Sequence, residues 1–459
     1  MLLKPWVTSH SSGHDIAVIG SGIAGLSAAW LLSQRHDVTL FEKESWVGGH
    51  TNTIDLSSDI SNDGGQPRAP VDTGFMVYNE LNYPNLTGLF RHLGVATKPS
   101  DMSLSVSVDG GRFEYGTTTL NQLVGQRRNI VRPRFLAMLR DILRFYKTVP
   151  LLLDHPSIRG VSLGDYLDRE SYSPAFADDH ILPMSAAIWS TTPDRMRQYP
   201  LIPFIRFFVS HQLFNLGARV QWRTVAGGSR EYVARLTEKF RSGLRIGLGV
   251  RKIARRADSV LVEDQHGTVR CFKHVVIATH ADQALALLDD PDTREKDLLG
   301  AFQYTTNRTV LHSDAALMPR RKRLWSSWNF IGGKRGAGGE HRCVTYWMNR
   351  LQGIDPKYPL FVTLNPFHEP RRDLLHREFT YEHPYFDEAA LQAQRHLPQL
   401  QGRRNTWFCG SYFGYGFHED ALQSGLAVGE DLGCVRRPWN VPHESNRIAF
   451  APREMVAAE

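Results

Sequence analysis

Gly20, Gly22 and Gly25, followed roughly twenty residues later by the acid Glu42, have the types and spacing of a site that grips a dinucleotide. Each glycine has a separate task. Gly20 permits a tight turn, Gly22 lets backbone N–H groups approach a pyrophosphate, and Gly25 lets a helix lie close to a strand. Ser21, Ile23 and Ala24 complete the loop. Glu42 would accept hydrogen bonds from the ribose hydroxyls of an adenosine. The elements that must position these groups lie on either side of them. Ile16-Ala17-Val18-Ile19 is a short apolar strand, a helix-forming stretch runs on to Leu32, and Asp37-Val38-Thr39-Leu40-Phe41 is a second strand that delivers Glu42. The helix N-terminus, with free N–H groups and a partial positive charge, would face the phosphates.

The run Lys43-Glu44-Ser45-Trp46-Val47-Gly48-Gly49-His50-Thr51 adds a glycine pair soon after the ribose-binding acid. With it, the sequence resembles the flavin-dependent amine oxidase superfamily, which includes amine oxidases, phytoene desaturases and protoporphyrinogen oxidases. The resemblance implies FAD as cofactor. Lys43 would flank the ribose, and Gly48, Gly49, His50 and Thr51 would wrap the pyrophosphate from its other side. His50 stands where arginine is usual, which implies a weaker or pH-dependent contact. In the block Val71-Asp72-Thr73-Gly74-Phe75-Met76-Val77-Tyr78, residues Gly74, Phe75, Met76 and Val77 would carry the backbone past the isoalloxazine ring. By the same resemblance, Val250 contacts the adenine through its backbone, and Ala278-Thr279-His280 forms the turn after a flavoprotein strand. Gly410 and Ser411, then Phe417 and His418, would close over the ribityl chain and the pyrimidine end. A helix beginning near His418 would aim N–H groups at flavin O2. The competing reading is a Rossmann NAD enzyme whose later glycines are ordinary loop residues.

A narrower resemblance covers about Asp15 to Leu432. VGGHTNT, VDTGFMVYNELNYPNLTGLFRHLGV, AIWSTTP, WNFIGG, VTYWMNRLQ and GYGFHED look like a group of bacterial FAD-binding oxidoreductases. Those are similar to the flavin domain that precedes the methyltransferase in plant cyclopropane fatty acid synthases. The implied function is a dehydrogenase or desaturase moving a hydride from a hydrophobic, fatty-acyl lipid substrate to flavin N5, with an acyl-modifying methyltransferase as partner. Hydride transfer needs a C–H bond held about 3–3.5 Å from N5 and water excluded, but no acid or base. Tyr78, Tyr346 and Phe417 are the candidate catalytic residues, with Trp347 beside them. Core packing explains Trp325, Trp328, Tyr346 and Trp347 equally well. Amine oxidases place a lysine near N5, and the strand Asn307–His312 offers Asn307 there instead. His312 and Asp314 read equally as an acid–base pair or an exposed strand end. Three alternatives stay open: a flavin amine oxidase, a non-catalytic flavoprotein partner of the methyltransferase, and an isomerase using flavin without net oxidation.

A chain of 459 residues calls for two domains. The expected fold class is α/β, α+β overall. A discontinuous Rossmann-like FAD-binding domain of the amine-oxidase type would take residues 13–85, 215–295 and 400–436. A mixed α/β substrate domain would take 86–214 and 296–399, with a C-terminal extension over 437–459. Residues 244 to 281 read as a β-hairpin with the polar turn Asp264-Gln265-His266-Gly267. No apolar run is long enough to span a bilayer, and the N-terminus has no secretory signal, so a cytoplasmic protein is expected. Cys271, Cys343, Cys409 and Cys434 form no CxxC pair and read as buried free thiols, with no metal site.

The net charge of +7 and pI near 9.2 fit a solvated surface or an anionic partner. No nucleic-acid module is visible. A local feature points instead to the inner face of a membrane. Arg127-Arg128-Asn129-Ile130-Val131-Arg132-Pro133-Arg134 runs into a helix with Phe135, Leu136, Leu139, Ile142, Leu143 and Tyr146 at helical spacing and Arg140, Arg144 and Lys147 beside them. It reads as an amphipathic core helix or as one resting on anionic headgroups. Phe204–Val209 is a second apolar and basic stretch.

Overall fold

Ile16, Ala17 and Val18 have no solvent exposure, as expected of a parallel strand covered on both faces. The computed structural model describes residues 13–56, 69–153, 155–215, 217, 220–335 and 339–449. The last ten residues of the expected C-terminal extension lie outside the described residues. The chain divides into two units. One takes the residues up to Gly49, Val233–Gly300 and the chain from Ala393 onward, and the other takes His50–Tyr232 and Ala301–Gln392. The breaks therefore fall at 49, 232, 300 and 392, against the expected 85, 215, 295 and 400.

The first unit is built on a five-stranded parallel sheet. Its order is Leu244–Ile246, Asp37–Glu42, Asp15–Ile19, His274–Ile277 and Thr406–Phe408. The helix Ile23–Leu32 is buried along its whole length. On it lies the helix His418–Gly433, whose Gly425, Gly429 and Gly433 fall one turn apart. A Cβ on Gly425 would stand 2.1 Å from the Ala24 carbonyl oxygen, so the two backbones meet there. Residues 250–272 form a three-stranded antiparallel sheet, and the expected polar turn closes its second hairpin. The Asp264 carboxylate accepts from the His266 and Thr268 N–H groups there.

The second unit holds a seven-stranded mixed sheet in the order Leu375–Tyr385, Gln303–His312, Phe361–Leu364, Gly339–Trp347, Trp328–Arg335, Leu104–Val108 and Phe113–Gly116. Only the Trp328 and Leu104 strands pair in parallel. Its helices include Pro133–Thr148, Leu182–Trp189 and Leu201–Ser210. Two expected helix faces are corrected here. In Pro133–Thr148 the core side is Phe135, Met138, Ile142 and Phe145, while Leu136 and Leu143 point outward. In Leu201–Ser210 the phenylalanines are core, so Phe204–Val209 presents no broad apolar surface. Cys343 and Cys409 are buried, but Cys271 and Cys434 are exposed. No helix among the described residues is long and apolar enough to cross a membrane.

Candidate functional site

The three glycines of the loop behave differently. Gly20 has φ +99°, and a Cβ there would stand 2.9 Å from the Ala278 carbonyl oxygen. At Gly25 a Cβ would come within 2.0 Å of the Gly20 carbonyl oxygen, which closes the turn under the helix. Gly22 is the helix N-cap in an extended conformation, and a Cβ there would meet nothing within 4 Å. No side chain caps this helix end, and its first amide bonded back along the helix is that of Leu26, to the Gly22 carbonyl at 2.9 Å. The result is an open space fronted by a helix N-terminus, the cradle that a pyrophosphate needs. Gly49, at φ +58°, comes up against the Gly22 Cα, so the glycine pair borders the same space.

Glu42 ends its strand at 7% exposure. Its carboxylate accepts from the Ser21 N–H and hydroxyl at 2.9 and 2.5 Å and from the Glu44 N–H at 2.8 Å. The Ser21 hydroxyl in turn accepts from the Gly48 N–H at 3.0 Å, which ties the two glycine loops together. A carboxylate has about four lone-pair positions, so one stays available for ribose hydroxyls. Lys43 points to solvent beside Glu44. Val250 opens its strand opposite Asp264. The Ala278 N–H donates to the Ile19 carbonyl, and the Thr279 hydroxyl to the His280 carbonyl. The Gly410 N–H donates to the Ser424 hydroxyl, and the Ser411 carbonyl accepts from Gly416. The 16-residue helix begins at His418 as expected, and the Phe417 N–H donates to the Asp420 carboxylate at 2.7 Å. Asp420 is buried and paired with Arg447. The glycine loop, the Gly48–Gly49 pair and Glu42 have the geometry and donors that a diphosphate and a ribose call for.

In the second unit, the buried Thr51 hydroxyl is bonded to the Tyr232 hydroxyl at 2.5 Å. The His50 carbonyl accepts from the Phe75 N–H, and Gly74 packs so tightly against it that a Cβ would stand 2.2 Å away. Met76 offers its carbonyl to the Thr224 hydroxyl, and Val77 is buried. Tyr78 packs edge-on to Phe90 and Tyr83, and no bond or ring contact joins it to Tyr346 among the described residues.

Tyr346 does sit in a polar cluster, most of which could not be anticipated. Its hydroxyl bonds Ser190, and its ring meets Trp328 edge-on at 5.1 Å. Burial raises the Tyr346 phenol well above its ordinary range, so it is a neutral donor. The Ser190 carbonyl accepts from Asn307 at 3.0 Å, and the same amide group reaches the Thr305 carbonyl and His383 Nδ1. The Asn307 carbonyl accepts from Asn365 at 2.7 Å. Asn307 is therefore held by polar contacts to four neighbours, its two N–H groups shared among three of them. Ser190 and Asn365 both adopt left-handed backbone, φ +49° and +50°, which costs a non-glycine residue about 1 kcal/mol or more. His383 stands edge-on to His50 at 5.2 Å, and His50 lies 5.0 Å from the Tyr381 ring. The Tyr381 hydroxyl bonds Thr73 and Asn52. The Thr191 hydroxyl and the Trp328 indole N–H are buried beside this cluster with no protein partner. Positive φ at a serine or asparagine leaves no mark in a sequence, so Ser190, Asn365 and His383 escape a reading by motif.

His312 and Asp314 form no carboxylate–imidazole pair. His312 bonds the Thr363 hydroxyl and the Asp314 N–H, while the Asp314 carboxylate accepts from Ala316 and Arg371. Trp347 bonds Asn349 and meets Trp325 edge-on, a packing role for both.

Asp72 is fully buried, and its carboxylate accepts from Ser229, Thr53 and Gln352, with no ion pair to it among the described residues. Burial pushes it up to about 6, against the opposing pull of those bonds. As pH rises from about 4 to 6 the unfolded chain ionises this group before the native state does. Stability is therefore lost across that window, about 3 kcal/mol for a shift of this size. Urea unfolding should show the wild-type protein losing that much relative to Asp72→Asn between pH 4 and 6. Parallel curves would contradict the assignment.

The sequence model for flavin-containing amine oxidoreductases matches residues 23–350. A Mycobacterium tuberculosis protein named for a flavin-containing monoamine oxidase, AofH, is 24% identical over 297 residues, 62% of this chain and 60% of that protein. An uncharacterised protein of Acanthamoeba polyphaga mimivirus is 32% identical over 130 residues, 24% of this chain and 26% of that one. The chain thus spans less than two thirds of either relative. Among solved structures, cyclohexylamine oxidase from Brevibacterium oxydans superposes with a TM-score of 0.63 at 16% identity, covering 92% of this chain and 99% of that one. A fatty acid isomerase from P. acnes gives 0.62 at 16% identity, covering 91% and 98%. At these identities the likeness is one of fold.

Proposed function

The chain belongs to the flavin-containing amine oxidoreductase family, with FAD as its cofactor, and from that premise we propose that it oxidises a hydrophobic, fatty-acyl substrate at a C–H bond. The observation that carries this reading is Asn307. By resemblance it stands where amine oxidases keep a lysine, and here its amide is bonded to Ser190, Thr305, His383 and Asn365. A neutral amide, unlike a lysine, has no titrating group with which to take up or release a proton. That one solved structure of this fold is a fatty acid isomerase agrees with an acyl chain as ligand.

Bound FAD supplies the hydride acceptor. Gly22, Gly48, Gly49 and the N-terminus of the Ile23–Leu32 helix would hold its diphosphate, and Glu42 its ribose. Tyr346 and Trp328 pack edge-on, with the Tyr346 hydroxyl fixed on Ser190. Asn307 is a positioning residue that locks Ser190 and His383 in place.

Lipid and metabolite mass spectrometry on cells with and without this chain tests the reading. The expected result is a change in acyl unsaturation. An unchanged acyl profile with an altered amine pool would overturn it. An unchanged profile together with a tight complex with a methyltransferase would favour a non-catalytic subunit instead.

A further inference from the structure

We propose that the outward stripe of the Pro133–Thr148 helix is a docking surface for an anionic lipid bilayer. Eleven large hydrophobic residues are well exposed among the described residues, and six of them (Leu120, Ile130, Val131, Leu136, Leu143 and Leu151) fall between 120 and 151. Leu136 and Leu143 are 51% and 58% exposed, while Phe135, Met138 and Phe145 on the opposite side are buried. The helix has therefore already filled its share of the core with other residues. The two leucines are surplus to it.

The spacing makes one continuous surface. Leu136, Arg140, Leu143 and Lys147 follow each other at four, three and four residues, all exposed, so they share one helix face about 16 Å long. Val131 and Leu151, at 79% and 80% exposure, lie in the short segments just before and just after the helix.

Charge identifies the occupant. Residues 120–151 hold seven cations, Arg127, Arg128, Arg132, Arg134, Arg140, Arg144 and Lys147, and one anion, Asp141. Asp141 is buried, bonded to the Ser173 N–H and to Arg140. Asp179 and Glu170 answer Arg134 and Arg144. Arg127, Arg128 and Arg132 reach only carbonyl and amide oxygens, which leave their charge in place. Cations at headgroup height with leucines between them match a bilayer carrying negative lipids. An acyl substrate would be drawn from such a surface, but docking does not require that reading.

Vesicle sedimentation of the FAD-loaded protein tests the proposal. Vesicles containing phosphatidylglycerol should bring the protein down, and pure phosphatidylcholine vesicles should not. Arg140→Gln with Lys147→Gln should weaken binding roughly 30-fold, and Leu136→Ser with Leu143→Ser roughly tenfold or more. Both variants should keep their FAD, and the leucine pair its melting temperature as well, because Leu136 and Leu143 are exposed. Arg140→Gln removes a partner of buried Asp141 and lowers the melting temperature somewhat. Failure to sediment with anionic vesicles would overturn the proposal, as would equal binding by both variants. A wild-type dimer that Leu136→Ser with Leu143→Ser converts to monomer would overturn it too, by assigning the face to a second copy. Neither readout involves turnover, so these outcomes are independent of the substrate.

Discussion

Gly22→Asp should yield a folded protein that purifies without its flavin. The Gly22 backbone is extended and its Cβ position is open, so an aspartate fits without strain. Aspartate is also a good N-cap, which stabilises a helix by about 1 kcal/mol over a poor one and by less over glycine. The same carboxylate, however, takes the N–H groups that a diphosphate needs and sets a negative charge against it. Charge-assisted hydrogen bonds contribute about 1.5–3 kcal/mol each, so losing two lowers FAD affinity on the order of a thousandfold. Fluorescence titration with FAD and thermal unfolding of the apoprotein check this together. A variant that keeps bound FAD would place the diphosphate somewhere other than this loop.

Gly25→Ala, three residues on, should instead lose fold and flavin together. The added methyl would stand 2.0 Å from the Gly20 carbonyl oxygen and 3.1 Å from the Ala278 side chain. The first obstacle is backbone, so relief requires opening the strand–helix turn. Substitutions of this kind cost roughly 4 kcal/mol or more, a large part of a stability of about 5–15 kcal/mol. Urea unfolding and limited proteolysis should report a destabilised first unit. Wild-type stability would mean that the turn tolerates more separation than the structure allows.

The contrast between these glycines shows what a sequence can carry. The strand, glycine loop, helix and Glu42 are contiguous, and local chemistry dictates them, so motif and periodicity suffice. The reason for Gly425 lies outside its own segment: a Cβ there would meet the Ala24 carbonyl of the Ile23–Leu32 helix, far back along the chain, a contact no local pattern shows. The Pro133–Thr148 helix was readable as a helix but not in its orientation. Its apolar residues span two faces, and packing volume chose the one with Phe135, Met138 and Phe145. The cluster around Asn307 was the least legible part. It depends on strand register, which sets Asn307 opposite Tyr381 and Thr305 opposite His383, and on two non-glycine residues in left-handed backbone.

Anaerobic mixing of the FAD-loaded protein with long-chain acyl lipid, followed by the visible absorbance of its flavin, is the most direct trial of the substrate assignment. Bleaching by the lipid, with none from primary amines at matched concentration, is the predicted result. Bleaching by an amine while every acyl lipid leaves the yellow colour intact would contradict it.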